Sequence, residues 1–122
     1  MSRPLYIVIL RTIYRHMTIH PPPSQSHDEA FKALSNPVRR KILAELKNPE
    51  QNFPGQDHPY EWGVCAGKIE GACGLSQSTV SAHLSVLHQA GLVTAKKCGQ
   101  WIFYKRDEAS IARLLEFLQE AL

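Results

Sequence analysis

GLSQSTVSAHLSVLHQAGLV, residues 74–93, is the stretch that decides the fold predicted from this sequence. It begins with Ser76 as a good helix N-cap, after which Val80, Leu84 and Leu87 place apolar side chains at i, i+4 and i+7. Gly91 stands where helices commonly end. We therefore predict an amphipathic helix over residues 77–90.

The outward side of this helix carries small hydroxyl and amide side chains in place of charges. No Asp, Glu, Lys or Arg occurs between Ser76 and Ala95. A solvated helix face more often carries Glu and Lys, whereas a surface that approaches a polyanion excludes acidic groups. A polar face without a partner is the alternative. If the partner is DNA, the side chains expected to contact it are Gln77, Ser78, Thr79, Ser81 and Ser85.

The neighbouring segments give this helix its context. In chain order they are a helix over 27–34, a helix starting at Pro37 behind the cap Asn36, a loop over 47–62 anchored by Tyr60 and Trp62, a short helix over 64–73, the helix 77–90, strands 92–97 and 100–106, and a last helix capped by Asp107. This order is typical of a winged helix-turn-helix, a mainly helical fold with a small β-hairpin wing. In that fold the second helix of the motif lies in the DNA major groove.

The hairpin adds positive charge beside the proposed reading helix. Three of its cations are expected to lie along DNA phosphates: Lys96, Lys97 and Arg106. Trp101 and Phe103 are expected to pack the hairpin onto the domain. Residues 39–41, Arg-Arg-Lys, fit either DNA backbone contacts or a solvated face.

Length and composition favour a single globular domain. The chain has 122 residues, 43% of them hydrophobic and 20% charged, with a net charge of +3. We assign the winged helix-turn-helix to residues 25–122. Residues 1–24 are separated from it by three prolines at 21–23, and form either a flexible N-terminal arm or a wrongly assigned start with Met17 as the initiator.

The length of the longest apolar run and the number of cysteines bear on where the protein is located and whether it contacts a membrane. The longest apolar run, residues 5–10, is too short for a bilayer, which needs about 20 residues, so we expect no membrane partner. Three cysteines are an odd number that does not suit a secreted disulfide framework. A reducing cytoplasm is the expected compartment.

Two stretches resemble the ArsR/SmtB family of winged-helix repressors. ALSNPVRRKIL, residues 33–43, resembles the family's opening A-L-s-n-P-x-R-x-x-I-L. GLSQSTVSAHL, residues 74–84, resembles its recognition segment G-x-S-Q-x-x-V-S-x-H-L. The resemblance covers about residues 28–122 but neither residues 1–24 nor the 47–62 loop.

This resemblance implies a function. It implies a homodimer built on the first and last helices, operator DNA bound by helix 77–90 with His83 as a DNA-side or capping residue, and repression relieved by an effector. The apolar surface of the last helix also exceeds what one side of a small domain covers. The residues expected at the dimer interface are Phe31, Leu34, Ile111, Leu115, Leu118 and Leu122.

The effector is left open, and no metal or other cofactor is assigned. The family's arsenic sensors carry Cys-x-Cys before the turn, and the matching positions here are Cys65 and Gly67, so one thiol remains as a candidate ligand. Metal sensors of another branch use histidines in the last helix, which has none here. The alternative to a repressor with an unknown effector is a metal, metalloid or thiol-redox sensor in which Cys65 acts with Cys73 or Cys98.

Two further classes of function are less favoured. One is a winged helix used as a protein-interaction module. The other is an enzyme, but the chain carries no Ser/His/Asp-like arrangement, no paired carboxylates in an apolar setting and no phosphate-binding loop. We therefore predict a sequence-specific, DNA-binding transcriptional regulator and not an enzyme.

Overall fold

A computed structural model describes residues 27–122. Its elements are α1 (His27–Leu34), α2 (Pro37–Glu45), α3 (Pro49–Asn52), a 3₁₀ turn (Tyr60–Trp62), β1 (Val64–Cys65), α4 (Ala66–Cys73), α5 (Gln77–Gln89), β2 (Val93–Cys98), β3 (Trp101–Arg106) and α6 (Glu108–Ala121). The expectations for residues 1–24 lie outside the described residues. None of the helices in the described part combines the length and the apolar character that a membrane crossing needs.

The three predicted helix N-caps are confirmed. The side chains of Asn36, Ser76 and Asp107 each accept a hydrogen bond from a first-turn backbone N–H, which would otherwise lack a partner within the helix. The donors are Val38 at 2.9 Å, Thr79 at 3.3 Å and Ser110 at 3.0 Å. Local side-chain chemistry therefore fixes where α2, α5 and α6 begin.

The core lies between α5 and the helices that precede it. The predicted stripe of Val80, Leu84 and Leu87 is confirmed, since all three are buried. They pack in one cluster with Ile42 of α2 and Ile69 of α4. Burying such side chains stabilises the fold by about 1.5–3 kcal/mol each. This packing holds α5 on the domain by one face and leaves its opposite face to solvent.

The wing is a three-stranded antiparallel sheet rather than a hairpin alone. Its strand order is β1-β3-β2, and β1 pairs Val64 with Tyr104 and Cys65 with Phe103. The predicted helix over 64–73 was therefore wrong for its first two residues, because their backbone groups bond to a strand that comes much later in the chain. Gly63 permits this approach, since its φ is +107° and a Cβ there would lie 2.6 Å from the Tyr104 carbonyl oxygen.

The 47–62 segment covers one face of the wing sheet. Phe103 is fully buried, with its ring centroid 5.5 Å from that of Trp62 and 5.1 Å from that of His58. The Tyr60 hydroxyl donates to the Phe53 carbonyl oxygen. The anchoring role predicted for Tyr60 and Trp62 and the packing predicted for Phe103 are therefore confirmed.

Trp101 departs from the packing predicted for it. Its side chain is 44% exposed, so the prediction that it packs into the domain was wrong. The physical reason is its place at the start of β3, beside the turn after Cys98, where His58 of the covering segment lies 5.7 Å from it between ring centroids and the rest of the ring borders open space.

Candidate nucleic-acid interface

Four of the predicted DNA-contacting side chains lie on the solvent side of α5. Gln77, Ser78, Ser81 and Ser85 are all exposed. Ser78 and Ser81 are three residues apart and Ser81 and Ser85 four, which places them along one side of the helix. Within α5, the 13 residues of Gln77–Gln89 include no carboxylate or permanent cation. The surface therefore offers hydrogen-bonding groups without a charge of either sign.

Two other predicted residues make side-chain contacts with other residues of this chain. The Thr79 hydroxyl lies 2.7 Å from the Ser76 hydroxyl at the start of α5. His83 is half-buried, and its Nδ1 lies 3.2 Å from a terminal nitrogen of Arg39. Arg39 can only donate, so Nδ1 accepts and the proton of the neutral His83 ring sits on Nε2. The Thr79 contact belongs to the start of α5 itself, whereas the His83 contact joins α5 to α2.

Arg39 and Arg40 are occupied by the end of α1. Arg39 donates to the carbonyl oxygens of Ala33 at 2.7 Å and Lys32 at 3.1 Å, and Arg40 donates to that of Leu34 at 2.7 Å. The last carbonyls of a helix lack intrahelical partners and carry a partial negative charge, so cations stabilise them. Of the two alternatives for residues 39–41, a solvated face therefore fails for Arg39, which is half-buried, whereas Arg40 and Lys41 are exposed. Arg39 joins α1, α2 and α5, a role that local pattern does not reveal.

Replacing Arg39 with methionine is expected to destabilise the fold. The substitution keeps the apolar stem but removes three hydrogen bonds, and we expect the free energy of unfolding to fall by about 1–3 kcal/mol. Urea denaturation followed by circular dichroism measures this. Arg40→Met is the matched control, since it removes the contact to Leu34 at an exposed position and should cost less. Equal losses for the two variants would contradict the bridging role of Arg39.

The three predicted wing cations differ in their surroundings. Lys97 is exposed on β2, and Lys96 holds its Nζ 4.9 Å from the centroid of the Trp62 ring. Arg106 is only 10% exposed and donates to the Leu43 carbonyl oxygen at 3.0 Å and to Glu108 at 2.6 Å. Lys97 is thus the best placed of the three to meet a phosphate. The contacts of Arg106 favour a structural role.

Comparison with known proteins decides the family. The family model described as "Bacterial regulatory protein, arsR family" matches residues 64–95, which span β1, α4, α5 and the start of β2. The uncharacterized HTH-type transcriptional regulator YbzH of Bacillus subtilis is 41% identical over 97 residues, covering 75% of this chain and 93% of that protein. The chain belongs to the ArsR family. The ArsR family comprises DNA-binding transcriptional regulators, which are not enzymes.

Further relatives agree with the ArsR assignment. The transcriptional repressor SdpR of Bacillus subtilis is 31% identical over 97 residues, covering 76% of this chain and 93% of its own. The solution structure of the homodimeric winged helix-turn-helix domain of Mb0332 from Mycobacterium bovis, a possible ArsR-family regulator, superposes with a TM-score of 0.56 at 26% identity, covering 86% of this chain and 89% of that one. The winged helix-turn-helix prediction is confirmed.

In this ArsR-family chain, α1 and α6 leave an apolar surface uncovered. Phe31 is 37% exposed, Leu115 46% and Phe117 38%, and the Phe31 and Phe117 ring centroids are 6.1 Å apart. We call these three residues together the apolar face, which extends over two sides of α6 because Leu115 and Phe117 are two residues apart. Phe117 was not among the residues expected at the interface, although its position three residues after Leu114 is a helical spacing that predicts an apolar side chain on the same side of the helix.

The other residues expected at the interface lie differently. Leu34, Ile111 and Leu118 are partly buried against the chain's own core, whereas Leu122 is almost fully exposed. Leu115 and Phe117 are therefore the α6 side chains that the apolar face contributes.

The three cysteines do not converge on a common site. All are free thiols, and within residues 27–122 no group of three or more His, Cys, Asp or Glu side chains is arranged to hold a metal ion. Cys65 pairs with Phe103 in the sheet and Cys98 with Trp101, while Cys73 ends α4. A metal or redox role for Cys65 with Cys73 or Cys98 stays a prediction.

The surroundings of Cys73 raise the pKa of its thiol above the ordinary value. Burial raises the pKa of its thiol, the carboxylate of Glu45 raises it further, and the ammonium of Lys41 partly offsets them. A raised pKa means less thiolate at a given pH, and the thiolate is both the metal ligand and the nucleophile.

Alkylation of Cys73 is therefore expected to need a higher pH than alkylation of a cysteine in an unfolded peptide. The measurement is the rate of iodoacetamide labelling at Cys73, read by mass spectrometry from about pH 7 to pH 10. Glu45→Gln removes a negative charge and should shift the midpoint of the profile downward. Glu50→Gln, on the short helix α3, is the control that should leave the midpoint in place. A midpoint that Glu45→Gln does not move would contradict the effect of this carboxylate.

Proposed function

We propose that this chain is a homodimeric ArsR-family repressor that binds double-stranded operator DNA through α5 and the wing. The observation that carries the proposal is the exposed face of α5, which offers amide and hydroxyl groups and no charge, beside the exposed cation Lys97. Amide and hydroxyl groups can reach base edges in the major groove, and a wing lysine can meet the phosphate backbone.

Within this proposal the residues have separate tasks. Gln77, Ser78, Ser81 and Ser85 read bases or contact nearby phosphates. Thr79 closes the start of α5 with Ser76, and His83 helps to orient the helix through Arg39. Lys97, and with it Lys96, supplies affinity that does not depend on sequence. Arg106 holds the wing to α2 through the Leu43 carbonyl oxygen.

The homodimer is supported by the apolar face and by a relative. Large exposed apolar side chains clustered on two helices mark a protein contact surface more often than a solvent surface. Mb0332, which shares the fold, is described as homodimeric. A two-fold dimer presents two copies of α5 to half-sites about 34–36 Å apart, so the operator should be a pseudo-palindrome.

Repression is proposed by analogy with relatives that are named repressors, including SdpR. The three free cysteines suit a reducing compartment, so the proposal places the protein in the cytoplasm with its DNA. The effector that would release the repressor is not identified by any of these relatives.

The test is a binding titration against the DNA upstream of the protein's own gene. Fluorescence anisotropy compares that duplex with a scrambled duplex of the same composition across a salt series, and footprinting then locates the site. We expect the upstream duplex to bind more tightly by at least about 10³-fold, the lower end for specific DNA-binding proteins. Equal affinity for the two duplexes at every salt concentration would contradict a sequence-specific regulator that acts at this DNA.

A further inference from the structure

An open cavity of about 670 Å³ lies beside α4. Its sides are residues 52–58 of the covering segment, the outer surface of α4, and Trp101 of the wing. Small-molecule sites in proteins typically enclose about 300–1,000 Å³. The cavity is thus large enough for a ligand of one to three rings.

The floor of the cavity exists because α4 has glycines there. Gly67 and Gly71 line the cavity, and a Cβ added to either would meet no atom within 4 Å. A glycine inside a helix costs about 1 kcal/mol relative to alanine. The helix thus keeps two residues that weaken it and that leave this space open.

The walls combine an aromatic surface with a cation. Trp101 is 44% exposed, and its ring centroid lies 5.7 Å from that of His58, which also lines the cavity. Lys68 reaches over the same space, with its Nζ 3.1 Å from the Pro54 carbonyl oxygen. Among residues 27–122, no carboxylate forms an ion pair with Lys68. Asp57 and Gln56 add polar groups to the lining.

We propose that this cavity is a binding site for a planar aromatic molecule that carries an acidic group. The rings of Trp101 and His58 contact the aromatic part, because offset aromatic contacts are favourable at centroid separations of about 4.5–7 Å. The ammonium of Lys68 faces the acidic group. Asp57 accepts a hydrogen bond from a hydroxyl or amino substituent.

The position of the cavity makes it a regulatory site. It joins α4, the first helix of the helix-turn-helix, to Trp101 on the wing, and α4 packs against α5, so a bound ligand can affect how α5 and the wing are placed relative to each other. A ligand shifts operator affinity to the extent that it binds the DNA-bound and DNA-free arrangements differently. The inference that the ligand changes operator affinity rests on the proposed function, whereas the inference that the cavity binds a ligand does not.

The test of the site uses 8-anilinonaphthalene-1-sulfonate, an aromatic anion, as the probe. The chain's two tryptophans, Trp62 and Trp101, both lie in the aromatic cluster at the cavity, so their fluorescence reports occupancy. We expect saturable quenching with one probe per chain. Gly71→Leu fills the floor and should weaken binding at least tenfold, while Gly71→Ala, which adds one carbon, should keep most of it.

Lys68→Met tests the ligand's charge. The substitution should weaken binding of the sulfonate probe about fivefold, which is the upper range for a partly exposed ion pair. It should not change the binding of N-phenyl-1-naphthylamine, the uncharged analogue of the probe. Far-UV circular dichroism checks that the variants fold. Saturable binding that is unchanged by both Gly71→Leu and Lys68→Met would overturn the site, since the probe would then sit elsewhere, for instance on the apolar face.

The proposed regulation is tested by measuring operator affinity by fluorescence anisotropy with and without a saturating concentration of the sulfonate probe. We expect operator affinity to change by fivefold or more in the wild type and not in Gly71→Leu. Binding of the probe at the cavity with no change in operator affinity would overturn regulation and leave the site standing. Loss of operator binding by the untreated protein would instead overturn the proposed function, and the quenching titration would still decide the site.

Discussion

Replacing Leu115 with aspartate is expected to convert the protein from a dimer to a monomer at micromolar concentration and to weaken operator binding by at least about 100-fold. Leu115 is 46% exposed and is the most exposed of the three residues of the apolar face. In a two-fold interface every substitution occurs twice, so two buried leucines are lost and two carboxylates are brought together. At about 1.5–3 kcal/mol for each apolar side chain, the loss reaches 3 kcal/mol or more, which is over 100-fold in the dissociation constant.

Leu115 separates association from folding better than its neighbours do. Leu118 and Ile111 pack partly on the chain's own core, so a charge at either would also destabilise the monomer. Sedimentation equilibrium measures the oligomeric state, and urea denaturation checks the fold. Ile102→Asp is the matched control, because Ile102 is 39% exposed on the wing and should leave the dimer intact. A wild-type protein that sediments as a monomer at micromolar concentration would refute the dimer.

Gln77→Ala is expected to weaken operator binding by about 10- to 100-fold while changing the affinity for scrambled DNA little. An amide can bond adenine in two places at once, and such a contact discriminates against the wrong base by about 1–3 kcal/mol. Lys97→Ala should instead weaken both duplexes by a similar factor. It should also reduce the log–log salt slope by about 1, because one fewer phosphate contact releases one fewer counterion.

The two variants are compared on operator and scrambled duplexes by fluorescence anisotropy across a salt series. Gln89→Ala is the control for Gln77→Ala, since both are exposed glutamines of α5 at opposite ends of the helix. Only the N-terminal end of a recognition helix normally reaches the bases. If Gln77→Ala lowered both affinities equally, α5 would not be the element that reads sequence, although the fold would be unaffected.

The site residues show which features of the site can be predicted from local sequence pattern. The exposure of Gln77, Ser78, Ser81 and Ser85 follows from helical periodicity once Val80 and Leu84 are recognised as buried, and the structure agrees. Arg106 was expected on phosphate, but the structure pairs it with the Leu43 carbonyl oxygen, 63 positions away along the chain. No pattern within the wing identifies that partner.

The sequence by itself determined the helix starts, the buried stripe of α5, the order of elements and the family. Each depends on groups within a few residues of one another: a cap bonds two or three residues ahead, and a stripe repeats every three or four. Only the tertiary structure decided that Val64 and Cys65 join the wing, that Arg39 ties α1 to α5, and that a cavity lies between α4 and Trp101. These depend on groups brought together from distant parts of the chain, which local periodicity does not specify.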